Sequence, residues 1–417
     1  MDWYVRFDLM REKSILQEFG DNFAGIVVDA HIIETYADAT ANFLSTLNKP
    51  FIIDPVTFKF STYNSVQLFS SKRWYPRLFG AYYDDIIRLP EQIRLQDRSE
   101  DDVEISESSG YPAMRIEPTH LSDNKILKSY VKRVISYQRN RIANLIGGLE
   151  IFEENLSPVF PSKLIPPYAV MLNSKNDEWL PKNIQCIKEA VQLKQGDEKI
   201  FPVIAIYKDL IHHDDSIAKL VNQYNIEGVD GYFVWVTDFK EEREDEQCLL
   251  NYIKFFNKLK EMNKPIINFY GGYLSMIAAS KGIVNGWTAG IGYAEYRNPF
   301  SEGGPVPAQY YYNPFHTTVP RDEVGTINTI CEQQKCNCAQ CQQHEDLIQM
   351  GLMDSLHHLI HTRIDEIQYL RSHNLNDIIQ EIQRTIELMD RVDADRSLIS
   401  HYRHLSRWQS ALSASNS

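Results

Sequence analysis

Eight short runs of β-branched and aromatic residues, at 4–7, 25–28, 51–53, 169–172, 202–206, 231–235, 266–269 and 283–289, are separated mostly by segments with helical spacing. That alternation constrains the fold more than any other feature of the chain. Parallel strands buried on both faces read as continuous apolar runs, and each crossover between them needs an outer helix. The segments 11–19, 36–47, 183–193, 215–224, 244–262 and 273–281 supply helix formers at i, i+3, i+4 spacing. The predicted fold class is therefore α/β, a (β/α)8 TIM barrel. The run at 283–289 is the weakest strand, because Gly286 interrupts it and Gly290 follows it.

Two departures break the barrel pattern. A long insertion, 61–167, follows the third strand and contains the acidic, serine-rich stretch RSEDDVEISESSG, which reads as a loop. It ends in a helical run, 125–144, whose Lys132, Arg133, Arg139 and Arg141 form either a solvated face or a phosphate-contacting one. After the eighth run come a Gly/Pro/Tyr-rich loop, a cysteine cluster and helical segments at 346–370 and 375–392, with SALSASNS as a frayed tail. The organisation expected is strands 1–3 in 1–60, the insertion in 61–167, strands 4–8 in 168–325 and a zinc-binding helical subdomain in 326–417.

A chain of 417 residues suits one large barrel with an appended piece. A net charge of −13 opposes a coat of cations for non-specific nucleic-acid binding, while a local basic patch still permits phosphate contacts. No apolar run is long enough for a membrane span, and the first residues, MDWYVRFDLMREK, are charged where a signal peptide needs an apolar core. A soluble, cytoplasmic, reducing setting without membrane contact is expected.

Cys336, Cys338 and Cys341 fall within six residues, a spacing that wraps one tetrahedral zinc ion and makes disulfides among them awkward. By spacing alone the fourth ligand is open among His373, His344 and Cys331. His357, His358 and His361 share helical i, i+3/i+4 spacing that could bind a metal, although no carboxylate-ligand frame accompanies them. Cys186 and Cys248 read as small buried thiols.

Barrel chemistry sits at the C-terminal ends of the strands, where this chain places Asp8, Asp29 and Asp54, then Asp238 and Asn268. Each aspartate alone is equally a helix cap. Three converging carboxylates repel, so at least one needs a raised pKa or a facing cation. Asp54 leads as acid/base or nucleophile, since Pro55 removes a competing donor; Glu295 and Asp238 are further catalytic carboxylates. Asp8, Asp29, Asn268, Tyr293, Tyr296 and Arg297 are the expected substrate contacts, the tyrosines as stacking walls. No phosphate-binding glycine loop of the P-loop or dinucleotide type is present.

The order of parts resembles the tRNA-guanine transglycosylase superfamily, including paralogues that insert 7-deazaguanines into DNA. Its C-x-C-x2-C motif followed by a histidine in an HN-L context is similar to Cys336, Cys338, Cys341 and His373-Asn374-Leu375, which selects His373 as fourth ligand. Lys49-Pro50-Phe51-Ile52-Ile53-Asp54 resembles the segment bearing the family's pocket aspartate, and Gly228-Val229-Asp230-Gly231-Tyr232 the segment of its pocket glycines. The resemblance implies structural zinc, a nucleic-acid partner (tRNA or DNA) and exchange of a guanine-type base, with a protein partner or a second copy as further companions. The family's nucleophilic aspartate has no counterpart in Gly282-Ile283-Val284-Asn285-Gly286-Trp287-Thr288. Hence two alternatives stand beside transglycosylation: a non-catalytic nucleic-acid or partner-binding paralogue, and a small-molecule TIM-barrel enzyme with structural zinc.

Overall fold

The computed structural model describes residues 1–7, 12–62, 77–78, 81–82, 116–149, 158–172, 177–292, 295–300, 309–330, 336–393 and 396–416. Seven parallel strands form one sheet: β1 (Asp2–Phe7), β2 (Gly25–Asp29), β3 (Phe51–Asp54), β4 (Val203–Tyr207), β5 (Tyr232–Thr237), β6 (Ile266–Asn268) and β7 (Gly286–Gly290). Their hydrogen-bonded order is β3-β2-β1-β7-β6-β5-β4. Most strand residues are buried, as a sheet covered on both faces requires.

The predicted strand at 169–172 does not form. In its place the irregular segment 162–171 hydrogen-bonds to both outer strands, through Ser162 N to Phe51 O (2.8 Å) on one side and Met171 N to Ala205 O (2.9 Å) on the other. Isolated parallel bridges pair Ile52 with Lys163, Leu164 with Ile200 and Met171 with Ile206. Prolines 161, 166 and 167 explain the irregularity, because each removes a ladder donor.

The helix Asn124–Leu149 runs behind that segment and is pinned to it by Gln138, fully buried, which donates to Ile165 O (2.7 Å) and accepts from Ile165 N (2.8 Å). The acidic serine-rich stretch lies outside the described residues. Outer helices at Lys13–Glu18, Ala37–Leu47, Trp179–Gln192, Asp214–Tyr224, Glu246–Leu259 and Tyr273–Ser280 match the predicted segments within a few residues. The run at 283–289 becomes β7, where Gly286 lets β1 approach: a Cβ there would meet Asp2 O at 2.3 Å.

A two-stranded antiparallel hairpin follows, β8 (Gln309–Tyr312) with β9 (Thr317–Pro320), then the helices Leu352–Ser372, Leu375–Val392 and Ile399–Asn416. The tail expected to fray belongs to the last helix. Trp408, Ala411 and Leu412 are buried, and Trp408 Nε1 donates to Glu241 O (2.9 Å). Among the described residues no helix is long and apolar enough to cross a membrane.

Candidate functional site

Three clusters occupy the strand ends and the segment that follows. The first is built on Arg6, a charged residue inside the apolar strand β1 and 1% exposed. Its Nη2 bonds Asp29 of β2 and Asp54 of β3, the latter at 3.0 Å. These two carboxylates are register partners on adjacent parallel strands, so the sheet itself forces them together. Arg297 Nη1, from beyond β7, donates to Asp29 Oδ2 (2.9 Å) and Tyr270 OH (2.6 Å). Tyr168 OH donates to Asp54 Oδ1 (2.8 Å), as does Val56 N (2.9 Å).

Burial opposes ionisation of Asp29, yet Arg6 and Arg297 outweigh it and hold the carboxyl well below the usual range. Burial and the neighbouring Asp29 push Asp54 the other way, upward, against the pull of Arg6. The expected repulsion is thus resolved by two cations and by opposite shifts. Val56 has φ 47°, a strained left-handed conformation for a β-branched residue, held where its amide reaches Asp54.

The second cluster lines a cavity of about 160 Å³ beyond β5, β6 and β7, with Lys240, Glu241, Glu242, Gly272, Glu295 and Tyr296 on its walls. Glu241 is buried and accepts from Gly272 N (3.0 Å), Leu274 N (2.8 Å), Ser275 N (3.2 Å) and Ser275 Oγ, at the start of the helix Tyr273–Ser280. Burial pushes it up to about 7 against those hydrogen bonds. Glu295 receives Arg363 Nη2 on Oε1 and is 24% exposed. Burial raises its pKa as well, with Arg363 pulling down. A Cβ on Gly272 would lie 2.9 Å from Glu295 Oε2 and 3.1 Å from Glu241 Oε2, so these oxygens are no more than 6.0 Å apart. Only glycine at 272 leaves both carboxylates facing one open space.

The third cluster is Cys336, Cys338, Cys341 and His358, whose ligand atoms all lie within 4.8 Å of one another. His358 Nδ1 is 3.4 Å from both Cys338 Sγ and Cys341 Sγ. A tetrahedral ion with bonds of about 2.3 Å to sulfur and about 2.0 Å to nitrogen sets sulfur–nitrogen edges of about 3.5 Å, so the donor set fits a zinc-type metal. His358 Nε2 faces Tyr311 O (2.8 Å), which fixes the ring with Nδ1 toward the sulfurs.

His373 is not in this set. Its Nδ1 faces Tyr369 O (2.9 Å), and it closes the helix Leu352–Ser372 as the residue just past its end. His344 Nε2 faces Asp354 Oδ2 (3.1 Å), and Cys331 lies outside the described residues. The fourth member of the cluster comes instead from the histidine group, because helical pitch turns His358 inward (1% exposed).

The remaining predicted residues divide. Asp8 and Tyr293 lie outside the described residues. Asp238, at φ 55°, accepts from Tyr296 OH (2.9 Å) and Asn298 Nδ2 (3.2 Å), beside rather than within the Glu241–Glu295 pair. Asn268 is buried and donates to Tyr252 OH (2.7 Å) and Ser275 Oγ (2.6 Å), so its amide braces the helix behind Glu241. Arg139 pairs with Glu198 through two bonds (2.6 and 2.8 Å) and Arg141 with Glu34 (2.9 and 3.2 Å), which commits both to ion pairs within the chain. Lys132 is exposed and Arg133 half-buried.

Reading by sequence missed Arg6, Glu241, Tyr168 and Arg363, and did not join His358 to the cysteines. Arg6 carried a signal, as a charge in a strand otherwise apolar. Glu241 carried none, sitting in the acidic run TDFKEEREDE.

No family model and no curated protein matches this sequence. Among solved structures the chain is similar to xylanase B from Clostridium stercorarium, at 9% identity over 69% of this chain and 85% of that one, with a TM-score of 0.33. It is also similar to the intracellular xylanase TsXylA from Thermoanaerobacterium saccharolyticum (9% identity, 74% and 90% covered, TM-score 0.34). A glycoside hydrolase family 5 mannosidase from Rhizomucor miehei matches at 10% identity (67% and 74% covered, TM-score 0.35). Likenesses this weak carry no argument about activity, which rests on the geometry.

Proposed function

We propose that this protein is a (β/α)8-barrel enzyme that acts at a glycosidic carbon of a small glycoside, in the cavity over Gly272. The observation that carries this reading is the pair Glu241 and Glu295, two carboxylates with raised pKa whose facing oxygens are no more than 6.0 Å apart beside an open cavity of about 160 Å³. That bound admits the roughly 5–5.5 Å of carboxylate pairs that hydrolyse glycosides with retention and falls short of the wider spacing of inverting pairs. Glu241, at about 7, exchanges its proton near neutrality and serves as acid, then base. Glu295, in the ionised form that Arg363 favours against burial, attacks the anomeric carbon as Glu241 protonates the departing oxygen. Water, deprotonated by Glu241, then releases the sugar from Glu295.

In this reading Asp54, Asp29, Arg6 and Arg297 form a rigid floor, and zinc in the cysteine–histidine cluster has a structural role. The test is turnover of a panel of nitrophenyl glycosides and nucleosides. Glu295→Gln and Glu241→Gln are each expected to lower kcat about 10²-fold or more while circular dichroism stays unchanged. A substrate turned over equally well by both variants would reject the pair.

A second reading, base exchange in tRNA or DNA, is favoured by Asp54 at a strand end together with the C-x-C-x2-C cysteines. It calls for incorporation of labelled guanine or a 7-deazaguanine into nucleic acid, abolished by Asp54→Asn. The ion pairs that occupy Arg139 and Arg141 weigh against a phosphate-tracking face on that helix.

A further inference from the structure

The segment that carries Glu295 follows β7 and lies outside the seven-stranded sheet. Three consecutive side chains tether it to three places: Glu295 to Arg363, Tyr296 to Asp238, and Arg297 to Asp29 and Tyr270. Of these tethers, Arg363 alone sits on the helix Leu352–Ser372, whose buried side also presents His358 to the cysteines. Arg363 is 4% exposed. Its Nη1 donates to Glu366 Oε2 (3.1 Å), and its guanidinium lies 4.4 Å over the Tyr311 ring. Glu366 is satisfied in turn by Tyr311 OH (2.8 Å) and His316 Nδ1 (2.7 Å), and His316 stacks on Tyr273 at 3.6 Å.

A guanidinium with one prong on Glu366 and the other on Glu295 is fixed in direction as well as charge, because its donors lie in a rigid plane. Glu366 is held independently by Tyr311 and His316, and it anchors Arg363, so Glu295 must follow Arg363 rather than the reverse. We propose that Arg363 is the positioning residue that holds Glu295 in place, orienting Oε2 over Gly272. The inference rests on the proposed role of Glu295, but its physical content concerns the carboxyl group itself.

Glu295 is faced by Arg363 and Glu366 from the helix, by Tyr311 from β8, and across the cavity by Lys240, Glu241 and Glu242. The experiment is a pH titration of protein labelled with carboxyl-¹³C glutamate, with the Glu295 resonance assigned by its loss in Glu295→Gln. Arg363→Gln removes the cation and is expected to raise the Glu295 midpoint by about one pH unit or more. Arg363→Lys keeps the charge without the planar fork and is expected to stay within about half a unit of the wild type.

A midpoint unchanged in Arg363→Gln overturns the proposal. Should that variant fail to fold, Arg363→Lys decides by chemical shift and line shape rather than midpoint: a Glu295 resonance at its wild-type chemical shift and in a single conformation shows that the fork does not set its position and overturns the proposal, while a displaced, broadened or split resonance supports it. The outcome is independent of turnover. A protein without glycosidase activity that still shows these shifts loses the functional reading and keeps the positioning role; an active protein with an unmoved Glu295 does the reverse.

Discussion

Glu241→Gln separates two opposed forces on one buried carboxyl. Burial raises Glu241 from its ordinary 4.5 to about 7, while three backbone amides and the start of a helix favour its charged form. With burial prevailing, the folded state binds a proton that the unfolded state has already released between those two pH values. The stabilisation is complete below about pH 4.5, declines as pH rises, and is gone above about 7. The slope is roughly 1.4 kcal/mol per pH unit, or about 3 kcal/mol over the window.

Glutamine cannot titrate, and its weaker match to the helix amides costs about 1–3 kcal/mol at every pH. Urea denaturation of both proteins at half-unit steps from pH 4.5 to 8 gives a difference curve in which that constant cancels. The stability of the wild type relative to Glu241→Gln should fall by about 3 kcal/mol across the window. A flat difference curve, or one that rises with pH, would refute the reasoning and mean that the amides keep Glu241 ionised.

Arg6→Met leaves buried Asp54 without its paired cation and Asp29 with only Arg297 of its two arginines, and should cost about 3–5 kcal/mol by the same denaturation assay, with most of the loss recovered when Asp29→Asn and Asp54→Asn are added; a cost under 1 kcal/mol would contradict the network. Elemental analysis of the wild type should find about one zinc per chain, which His358→Ala should abolish and His373→Ala should keep; the reverse result would restore the sequence-based ligand. Arg139→Ala should cost about 1–3 kcal/mol by breaking a two-pronged bond to Glu198, while Lys132→Ala should stay within about 0.5 kcal/mol, and equal costs would mean that the ion pair contributes nothing.

The strand–helix alternation was legible because burial on both faces leaves a strong local signature in β1 to β6. It failed at 169–172, where prolines deny the ladder its donors, and nothing local announces that a buried glutamine 27 residues earlier will brace Ile165. The clustering of the three cysteines was legible by spacing, since a loop of six residues can wrap an ion whatever the rest of the chain does. The histidine that joins them was not. His373 and His358 differ in which helical face they occupy, and only packing against β8 shows that His358 points inward.

The chain by itself thus determined its α/β class, its strand-end aspartates and its cysteine cluster, because each depends on interactions over a few residues. Tertiary structure decided the rest. Asp29 and Asp54 share Arg6 because β1, β2 and β3 are neighbours in register, and Glu241 meets Glu295 because two loops close over a glycine that neither contains. Proton affinity is set by burial and by charges brought within a few ångströms from distant parts of the chain, so the carboxylates suited to acid–base work become distinguishable only once the chain has folded.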